Sequence, residues 1–352
     1  MNAKILITLA LFGSSMNGFA QQENDSLQWI HRSADIGIIY PISTNGRSAG
    51  QYHNTVSFQL FAGVSGGVSA CAVAGIGNMV KENGTGVLVG GLLNSVGHKA
   101  VGAQFAGIAN ITKDTTVGVQ IAGVYNQSGD LAGIQLAGVG NVARTGSKAV
   151  QVAGAFNRAK AVHSQVAGLV NIAHKVNGVQ LSGLVNIADS SDYPIGFINL
   201  VKNGEKSMGI STDEHLDGMV SFCSGGRVLY GILGVGYNLK KSDHHIYALQ
   251  GGIGAHLFRK GKDLRLNAEA VELVQTDFSK GHCYTYSLKV LPEMTIAKRI
   301  QIFAGPTVNL QLDYSDGEIS GLSSNHFWTT TGLSGHFIGA YFGMAGGLKI
   351  IL

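Results

Sequence analysis

The feature that most constrains this chain is a short repeat whose core reads Gly-x-x-Asn. Nine copies run from Gly75–Asn78 to Gly196–Asn199, and successive Asn residues are 16, 16, 16, 15, 16, 14, 15 and 13 positions apart. A fixed short period of this kind indicates that each copy is one structural unit. The copies that define the repeat most clearly contain Gly107 and Asn110, Gly123 and Asn126, Gly138 and Asn141, Gly154 and Asn157, Gly168 and Asn171, and Gly183 and Asn186.

Each unit reads as a β-strand with two different faces. In Gly118–Asn126, Val119 and Ile121 alternate with Gln120 and Ala122. Alternation of apolar with small or amide side chains predicts a strand, and the density of Gly and β-branched residues disfavours a helix. From Lys99 to Asp192 the charged residues fall between an Asn and the next unit, where we expect turns.

Six copies carry a Gln three residues before the Gly: Gln104, Gln120, Gln135, Gln151, Gln165 and Gln180. These side chains have two interpretations. They could line a lumen or bind a neutral ligand, or they could form amide ladders that satisfy one another across neighbouring strands. A repeated side chain is what a scaffold needs, so the ladder is the favoured interpretation.

The repeat, written G-x-Q-x-x-G-x-x-N, resembles that of the poorly characterised surface-repeat proteins of outer-membrane bacteria. The resemblance covers roughly residues 101–199, while Ala72 and Leu88 stand in place of the Gln in earlier copies. It implies a location in the cell envelope, and it does not imply a catalytic activity or a ligand.

The N-terminus predicts secretion. Residues 1–20 combine Lys4, an apolar run from Ile5 to Phe12 and a small-residue end at Ala20, the layout of a signal peptide. We expect a linker over residues 21–33, repeat strands over 34–199 and longer barrel strands over 200–352.

The second half contains longer alternating segments. In 300–314, apolar residues such as Ile302 and Val308 alternate with residues such as Gln301 and Asn309. Segments of this length with one apolar and one polar face are typical of transmembrane barrel strands. The chain ends on a similar strand, 337–352, which resembles the terminal signal read by barrel-assembly machinery, although Leu352 stands where an aromatic residue is usual.

Three all-β architectures are compatible with these patterns. The leading expectation is one transmembrane antiparallel β-barrel of about 16–20 strands with a polar interior. The alternative is a β-solenoid of repeats followed by a smaller C-terminal barrel, although the drift in repeat length counts against an in-register stack. The third is a wholly soluble β protein.

Composition narrows the function classes. Only 13% of the 352 residues are charged, and 51 Gly against 4 Pro excludes both a disordered chain and collagen. No apolar run beyond the N-terminus is long enough for a transmembrane helix. A net charge of +4 does not indicate nucleic acid, and Cys71, Cys223 and Cys283 form neither a disulfide framework nor a metal motif.

Candidate catalytic groups are sparse. His244 and His245 have no third metal ligand at a known spacing, and Glu269 and Glu272 read as lumen-facing or rim charges. A triad of Ser334 with His326 and His336 lacks a Gly-x-Ser-x-Gly elbow. We therefore predict no catalytic residue, metal or cofactor.

The sequence thus predicts an outer-membrane barrel that admits or binds small solutes, or is simply structural. The expected partners are outer-membrane lipid and the barrel-assembly machinery, with a surface ligand left open. The alternative is a surface-exposed adhesin or interaction protein built on a solenoid array.

Overall fold

A computed structural model describes residues 29–146, 148–215, 217–239, 247–260, 263–276, 278, 282–314, 325–332 and 336–352. In this part of the chain there are two β-sheets, one of 19 strands and one of nine. The expected signal peptide, residues 1–20, lies outside the described residues. The chain is therefore all β, as the alternation predicted.

The first sheet contains the repeats. Its strands are β1 (Ile30–Ile39), β2 (Ile42–Ser43), β3 (Tyr52–Ser65), β4 (Gly67–Ala74), β5 (Gly77–Val80), β6 (Gly84–Gly90), β7 (Leu93–Val96), β8 (Lys99–Ala106), β9 (Ala109–Ala122), β10 (Tyr125–Ala137), β11 (Gly140–Thr145), β12 (Val150–Ala153), β13 (Phe156–Val162), β14 (Ser164–Ala167), β15 (Val170–Val176), β16 (Val179–Ser182), β17 (Val185–Ser190), β18 (Tyr193–Ile195) and β19 (Ile198–Val201). A 3-10 helix, Gly46–Gln51, lies between β2 and β3. Strand β1 begins inside the segment expected to be a linker.

The repeat strands form a β-solenoid. Each coil contributes one segment with the Gln position and one with the Asn position, and each segment pairs in parallel with its equivalent in the next coil; in β9 and β10 an Asn segment continues into the following Gln segment as one strand. Gln120 lies opposite Gln135, and Asn126 opposite Asn141. Successive equivalents run in the same direction because a second strand intervenes between them. A single antiparallel barrel of about 16–20 strands is therefore wrong, and the alternative of a solenoid plus a smaller barrel is confirmed.

The varying repeat length does not disturb this stack. Gln151 pairs with Gln165 and Asn157 with Asn171, although this Asn interval is only 14 residues. The difference is taken up in the charged turn between the Asn strand and the next Gln strand. Turn length varies at little cost because a turn lies at the surface, whereas the strands hold the register.

The repeat Gly occupies a corner where neighbouring coils approach closely. A Cβ on Gly138 would lie 2.2 Å from the carbonyl oxygen of Gly123, and one on Gly154 would lie 2.1 Å from that of Gly138. Real side chains do not tolerate such distances, so this corner requires Gly. We call this turn, the Gly and the residue after it, the Gly corner.

The second sheet is a closed barrel. Its strands are β20 (Lys206–Asp213), β21 (Asp217–Gly225), β22 (Leu229–Asn238), β23 (Tyr247–Lys260), β24 (Leu264–Thr276), β25 (His282–Ala297), β26 (Ile300–Asp313), β27 (His326–Thr331) and β28 (Phe337–Ile351). Neighbouring strands are antiparallel, and β28 pairs with β20 to close a ring of eight. Strand β27 pairs with the first part of β28.

The barrel is polar inside and apolar outside. Along β26, Gln301, Thr307 and Asn309 are buried in the interior, whereas Val308 and Leu310 are exposed on the outer wall. The alternation predicted for this segment is confirmed. Among the described residues, no helix has the length and apolar character needed to cross a bilayer.

Candidate functional site

The solenoid interior contains a continuous ladder of Asn side chains. Each Asn from Asn78 to Asn186 donates its amide to the side-chain oxygen of the next, over 2.9–3.0 Å. The same amide group donates to a backbone carbonyl of the following coil, for example from Asn94 to Phe105 over 2.7 Å. Because buried amides are costly when unpaired, this ladder fixes the register of the stack.

The six Gln residues form a second ladder beside the first. Each is fully buried, and each amide from Gln120 to Gln180 donates to the Gln of the preceding coil over 2.7–3.3 Å. The structure therefore places these residues in the packed interior of the solenoid, apart from the barrel lumen. They are bonded to one another, which is the arrangement of an amide ladder.

Both ladders have defined ends. At the N-terminal end, the Gln ladder begins at Gln104, which pairs with Leu88, and the Asn ladder begins at Asn78, which pairs with Gly63. At the other end the Gln ladder stops at Pro194, which pairs with Gln180, and the Asn ladder ends on a barrel residue, as described below. The repeats therefore build a scaffold whose interior polar groups are nearly all satisfied.

The barrel interior holds a cluster of paired charges near the end where the solenoid lies. Glu269 accepts hydrogen bonds from the Tyr230 hydroxyl (2.8 Å) and the Lys349 ammonium (3.3 Å). Lys349 also lies 4.0 Å from Glu293, which accepts a hydrogen bond from Asn267. All these groups are buried, and the single Lys349 ammonium lies between two carboxylates, which offsets part of the cost of burying charge.

A second polar cluster fills the opposite end of the barrel. The carboxylate of Asp217 accepts from Gln275 (2.6 Å) and Asn238 (2.8 Å). His215 lies 3.1 Å from the Tyr341 hydroxyl and 3.7 Å from the Glu214 carboxylate. These contacts tie four different parts of the barrel wall to one another through its interior.

Little free space remains between the two clusters. The pocket lined by Thr285, Ser287, Thr307 and Tyr341 has a volume of about 30 Å³, room for about two water molecules. An eight-stranded barrel is just wide enough for side chains to fill it. The interior is therefore a packed hydrogen-bonded core rather than a channel.

The candidate catalytic groups do not come together in the described residues. Glu269 faces the interior and Glu272 lies on the exposed face of β24, so they form no carboxylate pair. His326 packs edge-on against Tyr341, whereas His336 packs on Tyr314. His244, His245 and Ser334 lie outside the described residues. Within the described part of the chain, no group of three His, Cys, Asp or Glu side chains could hold a metal.

The three cysteines are unpaired thiols within the two units. Cys223 and Cys283 are buried in the barrel, and Cys71 is half-buried in the solenoid.

The outer surfaces of both units are unusually apolar. On the barrel wall, Ile210, Leu288 and Phe342 are 67%, 64% and 71% exposed. On the solenoid, the residue after each corner Gly is also apolar and mostly exposed, as in Leu169 and Leu184, both at 49%. Contiguous exposed apolar surface of this extent marks contact with a membrane or another molecule.

The last coil packs on the barrel. The backbone N–H of Asn199 donates to the Ser224 hydroxyl (3.0 Å), and its side-chain amide donates to the Ser224 carbonyl (3.2 Å). Arg227 forms a two-point ion pair with Asp192, both contacts at 2.8 Å. The Arg227 guanidinium lowers the pKa of the Asp192 carboxyl below its ordinary value. The barrel therefore caps the solenoid and ends its Asn ladder.

Sequence reasoning missed these interior and junction contacts. Lys349 and Glu269 are 80 residues apart, and no local pattern connects them. The available signal was weak: a Lys on the polar face of a strand that is otherwise apolar, small or glycine.

Comparison with family models, with curated proteins and with solved structures found no match. The fold itself therefore defines the class: a parallel β-solenoid with an amide interior, joined to an eight-stranded antiparallel barrel that is polar inside and apolar outside.

Proposed function

We propose that this protein is a membrane-anchored scaffold of the bacterial outer membrane. In this proposal the barrel β20–β28 spans the membrane and carries the solenoid as a rigid array at one of its ends. The N-terminal signal peptide expected over residues 1–20 and the resemblance of the repeats to surface-repeat proteins support the envelope location. The barrel-assembly machinery, acting on the terminal strand β28, remains the expected assembly partner.

One observation carries the proposal: the strands of a closed antiparallel ring turn a mostly apolar face outward, on which Glu272 is an exception, and mostly polar or small residues inward. A closed ring leaves no unpaired edge, which is the condition a β-structure must meet in lipid. In water the same wall would expose a continuous apolar belt, which a soluble protein avoids.

An anchor is favoured over a passive pore. The interior pairs Lys349 with Glu269 and Glu293, and the free volume further along is about 30 Å³. Within the described part of the barrel, a free volume of this size admits water but not a larger solute. The pore or solute-binding barrel expected from the sequence is therefore the second candidate.

The lengths of the connections favour one orientation. At the solenoid end the strands are joined by the short segments 226–228, 261–263 and 298–299. At the other end the connections are 214–216, 239–246, 277–281 and 314–336, the last of which includes β27. Outer-membrane barrels have short periplasmic turns and longer extracellular loops. We therefore place the solenoid on the periplasmic side, which disfavours a surface adhesin.

Arginine substitutions at two depths test membrane insertion. Leu288 lies near the middle of β25 on the outer wall, whereas Leu264 is the first residue of β24, at the rim. In lipid, Leu288→Arg should lower the free energy of unfolding by about 2–4 kcal/mol and Leu264→Arg by about 0–1 kcal/mol. The measurement is denaturant unfolding of the full chain reconstituted in phosphatidylcholine vesicles.

A barrel that does not enter the membrane predicts a different result. Both leucines are exposed, at 64% and 44%, so in a barrel surrounded by water neither arginine would be costly. Equal, small effects at both positions would contradict membrane insertion.

A further inference from the structure

The solenoid has one apolar edge and one charged edge. The apolar edge is the row of residues that follow the corner Gly, which we call the corner ridge; it includes Ile76, Leu92, Ile108, Leu169, Leu184 and Phe197, between 38% and 59% exposed. The opposite edge carries the charged side chains, as in the pair Lys113 and Asp114, which the structure places within the continuous strand β9 rather than in the turn expected from the sequence. Every coil of the stack therefore has its apolar residues on one edge and its charged residues on the opposite edge.

The last coil sits against the outer wall of the barrel. Cys223, Tyr230 and Ile232 point into the barrel, where they pack together. Ser224 and Gly231 alternate with them and therefore point outward, and these are the residues that the coil contacts. Ser224 bonds Asn199, and a Cβ on Gly231 would lie 2.6 Å from the carbonyl oxygen of Gly196. Since the Asn ladder follows the solenoid axis and ends on the outer wall, that axis points sideways from the barrel.

The contacts also fix which edge of the solenoid faces the middle of the barrel. At the rim, the backbone N–H groups of Val228 and Leu229 donate to the carbonyl of Asp192, in the charged turn. Further into β22, Gly231 meets Gly196, in the Gly corner. Moving from the rim towards the apolar belt, the contacts thus pass from the charged edge to the corner ridge.

We propose that the solenoid lies along the membrane surface beside the barrel, with its corner ridge immersed in the lipid leaflet next to the short connections. This inference rests on the proposed function, because it requires the barrel to span a membrane. Gly231 is two residues beyond the start of β22, which places the ridge about 7 Å above that rim. That depth matches the roughly 5–10 Å to which interfacial amphipathic elements insert.

The chemistry of the ridge fits lipid better than a protein partner. One flank next to the ridge is also apolar, with Phe105, Val152 and Leu181 outward, whereas the other mixes apolar residues such as Ile172 with Gln127 and Arg158. The surface is continuous with the apolar belt of the barrel, because Phe197 in the last corner lies beside β22. Acyl chains can cover so long and regular a surface without requiring a shape-matched partner.

Tryptophan quenching by brominated lipid tests the immersion. The full chain, with Trp29 and Trp328 replaced by Phe, receives one new Trp at Leu169 (ridge), Lys175 (charged turn) or Leu288 (barrel belt). The variants are reconstituted in phosphatidylcholine vesicles with or without bromine on the acyl chains. We expect the Leu169→Trp and Leu288→Trp signals to fall about twofold in brominated vesicles and the Lys175→Trp signal to stay unchanged.

The barrel variant separates the two proposals. Quenching of Leu288→Trp without quenching of Leu169→Trp would overturn the immersed ridge and leave the membrane barrel standing. Absence of quenching at both positions would overturn both proposals. Equal quenching of Leu169→Trp and Lys175→Trp would contradict the orientation. Protection of Leu169→Trp from aqueous acrylamide without lipid quenching would identify a second copy of the chain as the occupant and would also overturn the inference.

Discussion

At the scale of the residue, one alternating pattern of inward and outward side chains accounts for the whole solenoid. The inward positions carry amides and small side chains, and the outward positions carry branched apolar ones. The amides satisfy one another only because identical positions stack in register, as Gln135 does with Gln120 and Gln151. Repetition of the sequence thus allows a polar interior, because each buried amide finds a hydrogen-bond partner in the neighbouring coil.

The ladder predicts a non-additive response to mutation. Gln135→Leu leaves the oxygen of Gln120 and the amide of Gln151 without their ladder partners, and should cost about 1–3 kcal/mol for each group. The triple change of Gln120, Gln135 and Gln151 to Leu breaks the ladder at two points as well. It should therefore destabilise the chain by much less than three times the single change. Leu88, buried opposite Gln104, shows that a Leu fits this position.

The measurement is urea unfolding of the full chain in detergent, followed by circular dichroism. Gln127→Leu is the matched control, because Gln127 is exposed; it should change stability by less than about 0.5 kcal/mol. Costs that simply add across the triple variant would contradict a cooperative ladder.

At the scale of the element, the sequence pattern predicts the strands well, but it does not predict how they pair. The alternation in 300–314 identified β26 and both of its faces, because side chains of a strand alternate whatever it pairs with. That same property hides whether neighbours are parallel or antiparallel. The repeat Gln and Asn positions would face inward in a large barrel and do face inward in the solenoid, so the two folds share one pattern.

Contacts between distant elements could not be predicted from the sequence for another reason. The ion pair of Arg227 with Asp192 and that of Arg265 with Glu205 join residues 35 and 60 positions apart. The packing of the last coil on the barrel brings the first pair together, and the closure of the barrel brings Arg265 of β24 to Glu205, which precedes β20.

The junction ion pair predicts a pH-dependent contribution to stability. Arg227 lowers the pKa of Asp192 below its ordinary value of 3.8, so the pair stabilises the folded chain above that pH. The contribution is lost as the pH falls through the lowered pKa of the folded state. Arg227→Gln should cost less than about 1 kcal/mol at neutral pH, since both side chains are partly exposed.

Unfolding of the wild type and of Arg227→Gln in detergent, at neutral pH and below about pH 3, checks the direction of this pH dependence. The two forms should converge in acid. Arg144→Gln is the control, because Arg144 donates to the backbone carbonyl of Lys113 and its effect should not follow carboxylate titration. A difference between wild type and Arg227→Gln that grows in acid would contradict the assignment.

At the scale of the whole molecule, both units turn their polar groups inward and their apolar groups outward. The solenoid satisfies its interior with two amide ladders, and the barrel does so with paired charges. The low overall charge and the abundance of Gly follow from this design, since most charges lie on one edge of the solenoid, in connections or in the barrel interior, while Gly forms the tight corners. The sequence predicted that design and offered, as the alternative to one large barrel, a solenoid joined to a smaller barrel; the structure decided between the two.

The central claim is that the chain crosses a membrane with its solenoid on the side of the short connections. Cysteine labelling in cells tests it most directly, in a Cys71→Ala background that leaves only the buried Cys223 and Cys283. Leu239→Cys lies on the long-connection side, and Lys148→Cys lies in an exposed turn of the solenoid. With a membrane-impermeant maleimide, Leu239→Cys should react on intact cells and Lys148→Cys only after the outer membrane is permeabilised. Labelling of both on intact cells, or of neither until permeabilisation, would contradict the account.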